Sequence, residues 1–173
     1  MNFYTSDLHL FHNNIIRLCN RPYNNIDEMH EDIINKWNAK VKPTDQVYIL
    51  GDLSFTCKNI KDLYDILKKL NGQKHLIKGN HDYRWLSDLS KFTNEDMFVS
   101  VSDYKTIKDN GNHVVLFHYP IEDWEGRYHG AIHLYGHIHN SNNISTSLEN
   151  RYNVGVDVNN FEPKSLDELI NSK

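Results

Sequence analysis

The chain has 173 residues and a formal net charge of -4 at pH 7, from 19 Lys and Arg against 23 Asp and Glu. This length predicts one domain over residues 1–173, and no apolar run reaches the ~20 residues of a membrane-spanning helix. Basic runs do not exceed Lys-Lys pairs, which disfavours a sequence-independent grip on nucleic acid. The unusual feature is the presence of 11 histidines beside two cysteines, so the positions of the histidines decide what they can do.

The N-terminus and the cysteines bear on the cellular location of the protein. The first ten residues, MNFYTSDLHL, lack the basic region with which signal peptides begin, so we expect no such peptide. Cys19 and Cys57 can form neither a disulfide framework nor a four-cysteine zinc site, and we expect both as reduced thiols. These features predict a cytoplasmic protein that does not associate with membranes.

Helical and extended patterns alternate in the N-terminal half. Residues 3–5 predict a first strand, and apolar residues at helical spacing over 26–37 predict a helix. Asn25 and Glu28 form a capping box for that helix. Three more elements follow in chain order: a strand at 47–50, a helix at 60–70 and a strand at 75–77. This βαβαβ order indicates an α/β architecture.

The C-terminal half is richer in extended patterns. Asn110-Gly111 is typical of a β-hairpin, and Ser165 with Glu168 forms a capping box for a short final helix. The predicted strands of this half cover residues 97–101, 104–107, 113–117, 132–135 and 152–158. We expect these strands to form a mostly antiparallel set, with helices covering two sheets.

Five predicted strands end in side chains that can bind a metal ion. In chain order these candidates are Asp7 and His9, Asp52, Asn80, His118, and His137 with His139. Because ligands gather beyond the carboxyl ends of strands in open α/β sheets, the five segments can converge on one site. Two segments place their ligands two residues apart, which points both side chains the same way in an extended chain.

The predicted ligand set determines which ions fit. Imidazole and carboxylate ligands without thiolate suit Mn, Fe, Zn, Co or Ni. Seven ligands exceed the needs of one tetrahedral ion, and they suit two ions roughly 3.5–4 Å apart that share a carboxylate. A structural zinc site, built mainly from cysteines, does not fit this set. A metallo-β-lactamase motif is also disfavoured, because Asn140-Ser141-Asn142 follows His139 where that motif requires an aspartate.

Taken in order, these segments resemble the motifs of the calcineurin-like metallophosphoesterase superfamily. The motifs are Asp-x-His at Asp7, Gly-Asp at Asp52, Gly-Asn-His-Asp at 79–82, a lone histidine at His118 and Gly-His-x-His at 136–139. The opening SDLHLFHNNIIRLCNRP and the later NVGVDVNNFEP are similar to small bacterial and phage members that lack cap domains. This resemblance implies an α/β fold, a four-layer α-β-β-α sandwich of two mixed sheets flanked by helices.

The resemblance also implies two divalent metal ions, Mn in the first place and Fe, Zn, Ni or Co as alternatives. One ion would be held by Asp7, His9, Asp52 and His139, and the other by Asp52, Asn80, His118 and His137. His81 would contact a phosphate oxygen or protonate the leaving group, and Asp82 would hold the His81 imidazole in one tautomer. The implied reaction is in-line attack on phosphorus by a hydroxide that bridges the two ions.

Small phosphodiesters, nucleotides among them, are the favoured substrates. The segment after Asp52, residues 53–56, lacks the arginine of the protein phosphatase and diadenosine polyphosphate hydrolase branches. A chain of this length has no room for the added DNA-binding parts of the repair nucleases, so we expect no long duplex as a partner. Arg17, Arg21 and Arg84 are candidates for contacting a substrate phosphate.

Two alternatives stay open: a phosphomonoesterase of the same fold, and a non-catalytic metal-binding scaffold. The complete set of ligand residues disfavours the scaffold. Tyr119, Trp124 and Tyr128 can line a nucleobase pocket, although packing in the core or a loop is the favoured role for them. The sequence leaves the physiological substrate and the oligomeric state open.

Overall fold

Two four-stranded sheets form the centre of the protein, a computed structural model of which describes residues 1–55, 57–141 and 149–172. The first sheet contains, in order, the parallel strands β1 (Asn2–Thr5), β2 (Gln46–Ile49), β3 (Gln73–Ile77) and β4 (Ser100–Ser102). The second sheet contains, in order, β5 (Tyr104–Asp109), β6 (Asn112–Phe117), β7 (Ile132–Tyr135) and β8 (Arg151–Asn153). Strand β5 is antiparallel to β6, whereas β6, β7 and β8 are parallel to one another.

Five α-helices occur in the described part of the chain. They are α1 (Asn13–Leu18), α2 (Ile26–Lys40), α3 (Ile60–Lys69), α4 (Asp82–Phe92) and α5 (Leu166–Asn171). Helices α1 to α4 bury apolar side chains against the first sheet, while α5 buries Leu166 and Leu169 in the core between the sheets. None of the described helices is both long enough and apolar enough to span a membrane.

Side-chain alternation along the strands builds two cores. In β2, Val47 and Ile49 lie in the core beneath the helices, whereas Tyr48 and the following Leu50 lie between the two sheets. Because successive strand residues point to opposite faces, a parallel strand covered on both sides is apolar throughout. The predicted α/β sandwich of two sheets flanked by helices is therefore confirmed, although only the second sheet is mixed.

Several turn and cap signals act as predicted. The capping box predicted at Asn25 forms only in part, because Asn25 accepts from the Glu28 amide but the Glu28 carboxylate accepts from the Asn24 amide. Ser165 and Glu168 form a complete capping box on α5. Asn110 and Gly111 both have positive φ, 48° and 82°, which is the conformation of a tight hairpin turn between β5 and β6. These interactions join residues that are close in sequence, so they fix the ends of helices and strands without help from tertiary contacts.

The sequence prediction is wrong at two points in the C-terminal half. The described strands are not mostly antiparallel, because β5 and β6 form the one antiparallel pair among them and β6, β7 and β8 run parallel. The strand predicted over 152–158 ends at Asn153, and Val156–Val158 form a 3₁₀ turn. After β8, the Asn153 side chain accepts a hydrogen bond from the Gly155 amide, and the Asn159 side chain donates one to the Asn153 carbonyl. These backbone groups are thus bonded to side chains and not to a neighbouring strand.

Two helices and a strand boundary also differ from the prediction. Helices α1 and α4 are absent from the sequence predictions. Helix α1 has only six residues, whereas α4 does carry apolar residues at helical spacing, and it buries Trp85 and Leu89. The extended segment predicted over 97–101 becomes β4 at Ser100–Ser102. Helix α4 has a consequence for the site, since its N-cap residue is His81.

The carboxyl ends of the parallel strands meet at one edge of the sandwich. The Asp7 amide donates to the Gly51 carbonyl at 3.0 Å, which joins the loops after β1 and β2. The Gly136 amide donates to the His118 carbonyl at 2.9 Å, which joins the loops after β7 and β6. The Ser6 amide donates to the Val154 carbonyl at 3.1 Å and connects the two sheets. The predicted ligand segments are thus neighbours in space.

Candidate metal centre

The predicted ligands gather in two groups at this edge. Asp7, His9 and His139 form one group, in which one ligand atom of each residue lies within 4.8 Å of the others. A second group has the same property and consists of Asp52, His118 and His137. Asn80 joins the second group, because its Oδ1 lies 3.2 Å from Nε2 of His118. All seven predicted ligand residues therefore converge.

Asp52 lies between the two groups. Its Oδ2 atom is 3.5 Å from Nε2 of His9, in the first group, and 3.6 Å from Nε2 of His118, in the second. A carboxylate in this position can be shared by two cations.

The ring nitrogens of the buried histidines are available as ligands. Nδ1 of His118 is 2.7 Å from the Leu50 carbonyl, so a proton held there leaves the Nε2 lone pair directed at Asp52. Nε2 of His9 is buried and has no hydrogen-bond partner among the described residues. Burial, together with the nearby His139 and Arg21, lowers the pKa of His9 to about 2, which keeps the ring neutral.

The surroundings of Asp7 fit a metal ligand. Its carboxylate is fully buried and accepts from the His137 amide at 2.9 and 3.0 Å and from the Ser6 hydroxyl. Burial nevertheless raises the pKa of Asp7 to about 7, although His139 and these hydrogen bonds oppose the rise. A buried carboxylate beside an unpartnered imidazole nitrogen fits a divalent cation, which would neutralise the one and coordinate the other.

The backbone at the site is in an uncommon conformation. Five of the seven predicted ligand residues have positive φ: Asp7 at 57°, His9 at 51°, Asp52 at 51°, His137 at 72° and His139 at 50°. The left-handed region costs roughly 1–2 kcal/mol for a non-glycine residue, although Asp and His tolerate it better than most. Strain of this kind concentrates at functional sites, where it aims side chains that regular strands would direct elsewhere.

Two glycines admit the close packing of these loops. A Cβ on Gly51 would lie 2.5 Å from Nδ1 of His118, and the φ of this residue is 85°. A Cβ on Gly79 would collide with Oδ1 of Asp52 and lie 2.8 Å from Cε1 of His118. Glycine is therefore required before both Asp52 and Asn80.

His81 lies beside the ligand groups without belonging to either. Its amide donates to Oδ1 of Asp52 at 3.0 Å, and its Nε2 is 3.9 Å from Oδ2 of the same residue. The side chain is 36% exposed, in contrast to the 3% of the Asp52 side chain. The imidazole thus reaches solvent beside the predicted ligands, where the resemblance implies a group that contacts the substrate.

Asp82 does not hold the His81 imidazole, so this predicted role is wrong. Its buried carboxylate accepts from the amides of Gly79 at 2.7 Å, Asp52 at 2.8 Å and Leu53 at 3.1 Å. The Trp85 indole donates to it at 2.9 Å. Burial raises the pKa of Asp82 to about 6 against the effect of these hydrogen bonds. Asp82 instead fixes the loops that carry Asp52 and Asn80.

The three predicted substrate arginines separate into two kinds. Arg21 is 4% exposed, and its guanidinium bonds the carbonyls of Asp7 and Leu8 and the carboxylate of Asp157. Its donors are directed into the protein, so the prediction of a phosphate contact is wrong for this residue. Arg17 and Arg84 are exposed, at the end of α1 and on α4, and their substrate role stays a prediction.

The role of Asp157 is not among the sequence predictions. Its Oδ2 is 2.7 Å from Nδ1 of His139, and both its oxygens also bond Arg21. Burial opposes ionisation of Asp157, but the hydrogen bonds from His139 and Arg21 hold its pKa below the ordinary value. Burial would lower the pKa of His139, yet hydrogen bonds to Asp157 and Cys19 raise it to about 10. The only signal was the segment NVGVDVNNFEP, which contains Asp157.

Aromatic rings border the site. Tyr119 is 37% exposed, and its ring centroid lies 4.9 Å from that of His118 and 4.7 Å from that of His137. Phe55 stacks on His12 at 4.0 Å and contacts His81 edge to face at 4.9 Å. Trp124 is buried outside the second sheet and Tyr128 is 82% exposed, and neither of them contacts a predicted ligand in the described part of the chain.

The chain has relatives among known proteins whose names state no activity. No protein-family model matches the chain. The uncharacterized protein MJ1445 of Methanocaldococcus jannaschii is 34% identical over 170 residues, which cover 95% of this chain and 86% of the relative. The gene 66 protein of Mycobacterium phage L5 is 30% identical over 178 residues, which cover 90% of this chain and 86% of the relative.

A solved structure has the same fold over the whole chain. It is the protein of unknown function AQ665 from Aquifex aeolicus, with 26% identity and a TM-score of 0.78. The superposition covers 100% of this chain and 99% of the Aquifex chain. The two-sheet architecture is therefore that of an experimentally determined protein of about the same length.

Proposed function

The chain belongs to one protein family with MJ1445 and the gene 66 protein of phage L5, and we propose that it is a metal-dependent phosphoesterase of the calcineurin-like superfamily. One observation carries this proposal. The carboxylate of Asp52 lies between two groups of buried Asp and His side chains, each compact enough to hold a cation. Paired cations around a shared carboxylate are the apparatus that many phosphate-transferring and phosphate-cleaving enzymes use.

The residues divide into two ligand sets. Asp7, His9 and His139 would hold one ion, and Asn80, His118 and His137 would hold the other, with Asp52 between them. Mn²⁺ is the ion that we propose first, because imidazole, carboxylate and amide oxygen are all acceptable to it. When bound, two such ions supply Lewis acidity that lowers the pKa of water and neutralises charge on a phosphoryl group.

His81 is the proposed acid–base residue. Its ring is exposed at the mouth of the site, and its backbone is anchored by the 3.0 Å hydrogen bond to Asp52. An imidazole in this place can donate a hydrogen bond to a phosphoryl oxygen or a proton to the leaving oxygen. Since Asp82 does not contact the ring, we propose that the edge-to-face contact with Phe55 orients it.

The substrate that we propose is a small phosphodiester, and nucleotides are the natural candidates. The partly exposed ring of Tyr119 and the ring of Phe55 border the site and offer flat apolar surface to a base or aryl group. Arg21 cannot contribute charge to a second phosphoryl oxygen, because it is buried in internal hydrogen bonds. A phosphomonoesterase is the alternative, and the same assay separates the two.

The test is hydrolysis by the purified chain with Mn²⁺, comparing bis-p-nitrophenyl phosphate with p-nitrophenyl phosphate. We expect faster release of p-nitrophenol from the diester, and loss of this activity in Asp52→Asn. Asp45→Asn is the matched control, because Asp45 is also a buried carboxylate but precedes β2, at the opposite end of that strand. This variant should hydrolyse the diester as the wild type does.

Three outcomes would overturn parts of the proposal. Faster hydrolysis of the monoester would replace the diester by a monoester. Binding of Mn²⁺ without hydrolysis of either ester would favour the scaffold. Equal activity of the wild type and Asp52→Asn would remove the metal centre from the reaction.

A further inference from the structure

A buried ion pair lies behind one half of the proposed centre. The side chains of Arg21 and Asp157 are 0% and 2% exposed. The contact is bidentate: Nε of Arg21 is 2.8 Å from Oδ1 of Asp157, and Nη2 is 3.0 Å from Oδ2. A guanidinium presents its donors in a rigid fork, so this geometry fixes both side chains.

The pair contacts the backbone or side chain of the first ligand group. Arg21 donates to the Asp7 carbonyl at 2.7 Å and to the Leu8 carbonyl at 2.8 Å, which holds the loop between Asp7 and His9. Asp157 accepts from His139 at 2.7 Å through Nδ1. The ring nitrogen of His139 that is left for an ion is therefore Nε2.

The second ligand group is held in a different way. Nδ1 of His118 is bonded to a backbone carbonyl, that of Leu50, at 2.7 Å. The loop of Asp52 is held by Asp82 through the Asp52 and Leu53 amides. In the described part of the chain, no hydrogen bond joins Arg21 or Asp157 to Asp52, Asn80, His118 or His137.

We infer that Arg21 and Asp157 are positioning residues for one ion alone, the one held by Asp7, His9 and His139. This inference rests on the proposed metal centre. Asp157 keeps His139 in the tautomer whose Nε2 can coordinate the ion. A carboxylate as hydrogen-bond partner also makes the imidazole a stronger ligand than a backbone carbonyl partner does. Arg21 holds Asp157 in place and also fixes the strained turn in which Asp7 and His9 have positive φ.

The test is a calorimetric Mn²⁺ titration of the metal-free full chain, with bound Mn counted by elemental analysis. We expect two bound ions in the wild type. In Asp157→Asn, one ion should bind roughly 10- to 100-fold more weakly and the other with unchanged affinity. Electron paramagnetic resonance of Mn²⁺ gives an independent readout, since the spin-coupled pair of the wild type should give way to an isolated ion at limiting Mn²⁺.

Controls separate positioning from a loss of fold. Asp45→Asn makes the same chemical change outside the site and should bind both ions as the wild type does. Should Asp157→Asn fail to fold, Arg21→Lys carries the same test, because lysine keeps the charge but loses the fork. Arg21→Lys should weaken the same ion selectively, with its circular dichroism spectrum unchanged.

The results distinguish this inference from the proposed function. Wild-type affinity for both ions in Asp157→Asn, or equal weakening of both, would overturn the positioning role and leave the metal centre standing. A wild type that binds no Mn²⁺ would overturn both.

Discussion

The carboxylate of Asp52 and the imidazole of His9 lie 3.5 Å apart, measured from Oδ2 to Nε2, and both are almost completely buried. The separation is longer than a hydrogen bond, and this nitrogen has no other partner in the described part of the chain. A buried polar atom left unpaired costs about 1–3 kcal/mol. A cation bound near these two atoms could contact both of them. We therefore expect the stability of the folded chain to increase when a metal ion binds.

We expect Mn²⁺ to raise the melting temperature of the wild type. An ion that binds only the folded state at 100 times its Kd stabilises by about 2.7 kcal/mol, which corresponds to roughly 5–10 °C for a domain of this size. Differential scanning calorimetry with Mn²⁺ and with EDTA measures the shift. Asp52→Asn should lose most of it, whereas Asp45→Asn should keep it. Identical melting temperatures in Mn²⁺ and EDTA would contradict metal binding by the fold.

Replacing His81 should separate metal binding from turnover. In His81→Ala we expect both ions to bind as before and kcat for the diester to fall roughly 10²- to 10⁴-fold, because a positioned proton donor is lost. His113→Ala is the control, since His113 also has a 36% exposed side chain but faces Glu125 at 3.8 Å, away from the ligand groups. Undiminished kcat in His81→Ala would show that the imidazole takes no part in the reaction.

Asp82→Asn should act on stability, because the carboxylate ties two ligand loops to α4. An amide offers one acceptor oxygen and turns its NH₂ toward the remaining donors, so we expect a loss of about 3 kcal/mol of unfolding free energy. Urea denaturation measures this loss. Asp88→Asn, on the same helix with a side chain that is 52% exposed, should change it by less than about 0.5 kcal/mol. If Asp82→Asn kept wild-type stability and lost only activity, the structural role would be refuted.

His133 should make stability depend on pH between neutrality and pH 4. The ring is fully buried in β7, and burial lowers its pKa from 6.5 to about 4, although hydrogen bonds to the Val115 and Tyr119 carbonyls partly oppose this. Between these values the unfolded chain binds a proton that the folded chain does not, so stability falls as pH falls. The expected loss from this group alone between pH 7 and pH 5 is about 2 kcal/mol.

The measurement is urea unfolding of the wild type and His133→Gln at pH 7 and pH 5. Glutamine does not titrate, so the variant should lose less stability than the wild type over this interval, whatever its stability at pH 7. His129→Gln serves as the control because His129 is exposed, and its pH dependence should match the wild type. Parallel pH profiles for the wild type and His133→Gln would contradict a buried neutral His133.

The sequence correctly predicted the elements that depend on short-range signals. The apolar spacing of α2 and α3, the capping box at Ser165 and the Asn110-Gly111 turn are signals that act over a few residues, and the structure confirms each of them. Strand direction in the second sheet is not such a signal. It depends on which distant strand is a neighbour, and β6, β7 and β8 run parallel against the prediction.

The predicted ligand residues were recognisable in the sequence because metal binding restricts the residue types. Asp, Asn and His after five strands, with glycine before Asp52, Asn80 and His137, form an ordered pattern that packing alone does not require. The pattern does not specify the distances between these side chains in the folded protein. Only the folded chain places Oδ2 of Asp52 within 3.6 Å of both His9 and His118.

The sequence by itself therefore determined the α/β class, the types of the candidate ligands and the strands that carry them, since these depend on residue type and local spacing. Tertiary structure alone decided the partners of the charged residues. Arg21 and Asp157 are 136 positions apart and meet as a buried ion pair, and Asp82 turns from its neighbour His81 toward Asp52. The physical reason is that a buried charge must find its hydrogen bonds wherever packing offers them, and packing brings together residues that are remote in the chain.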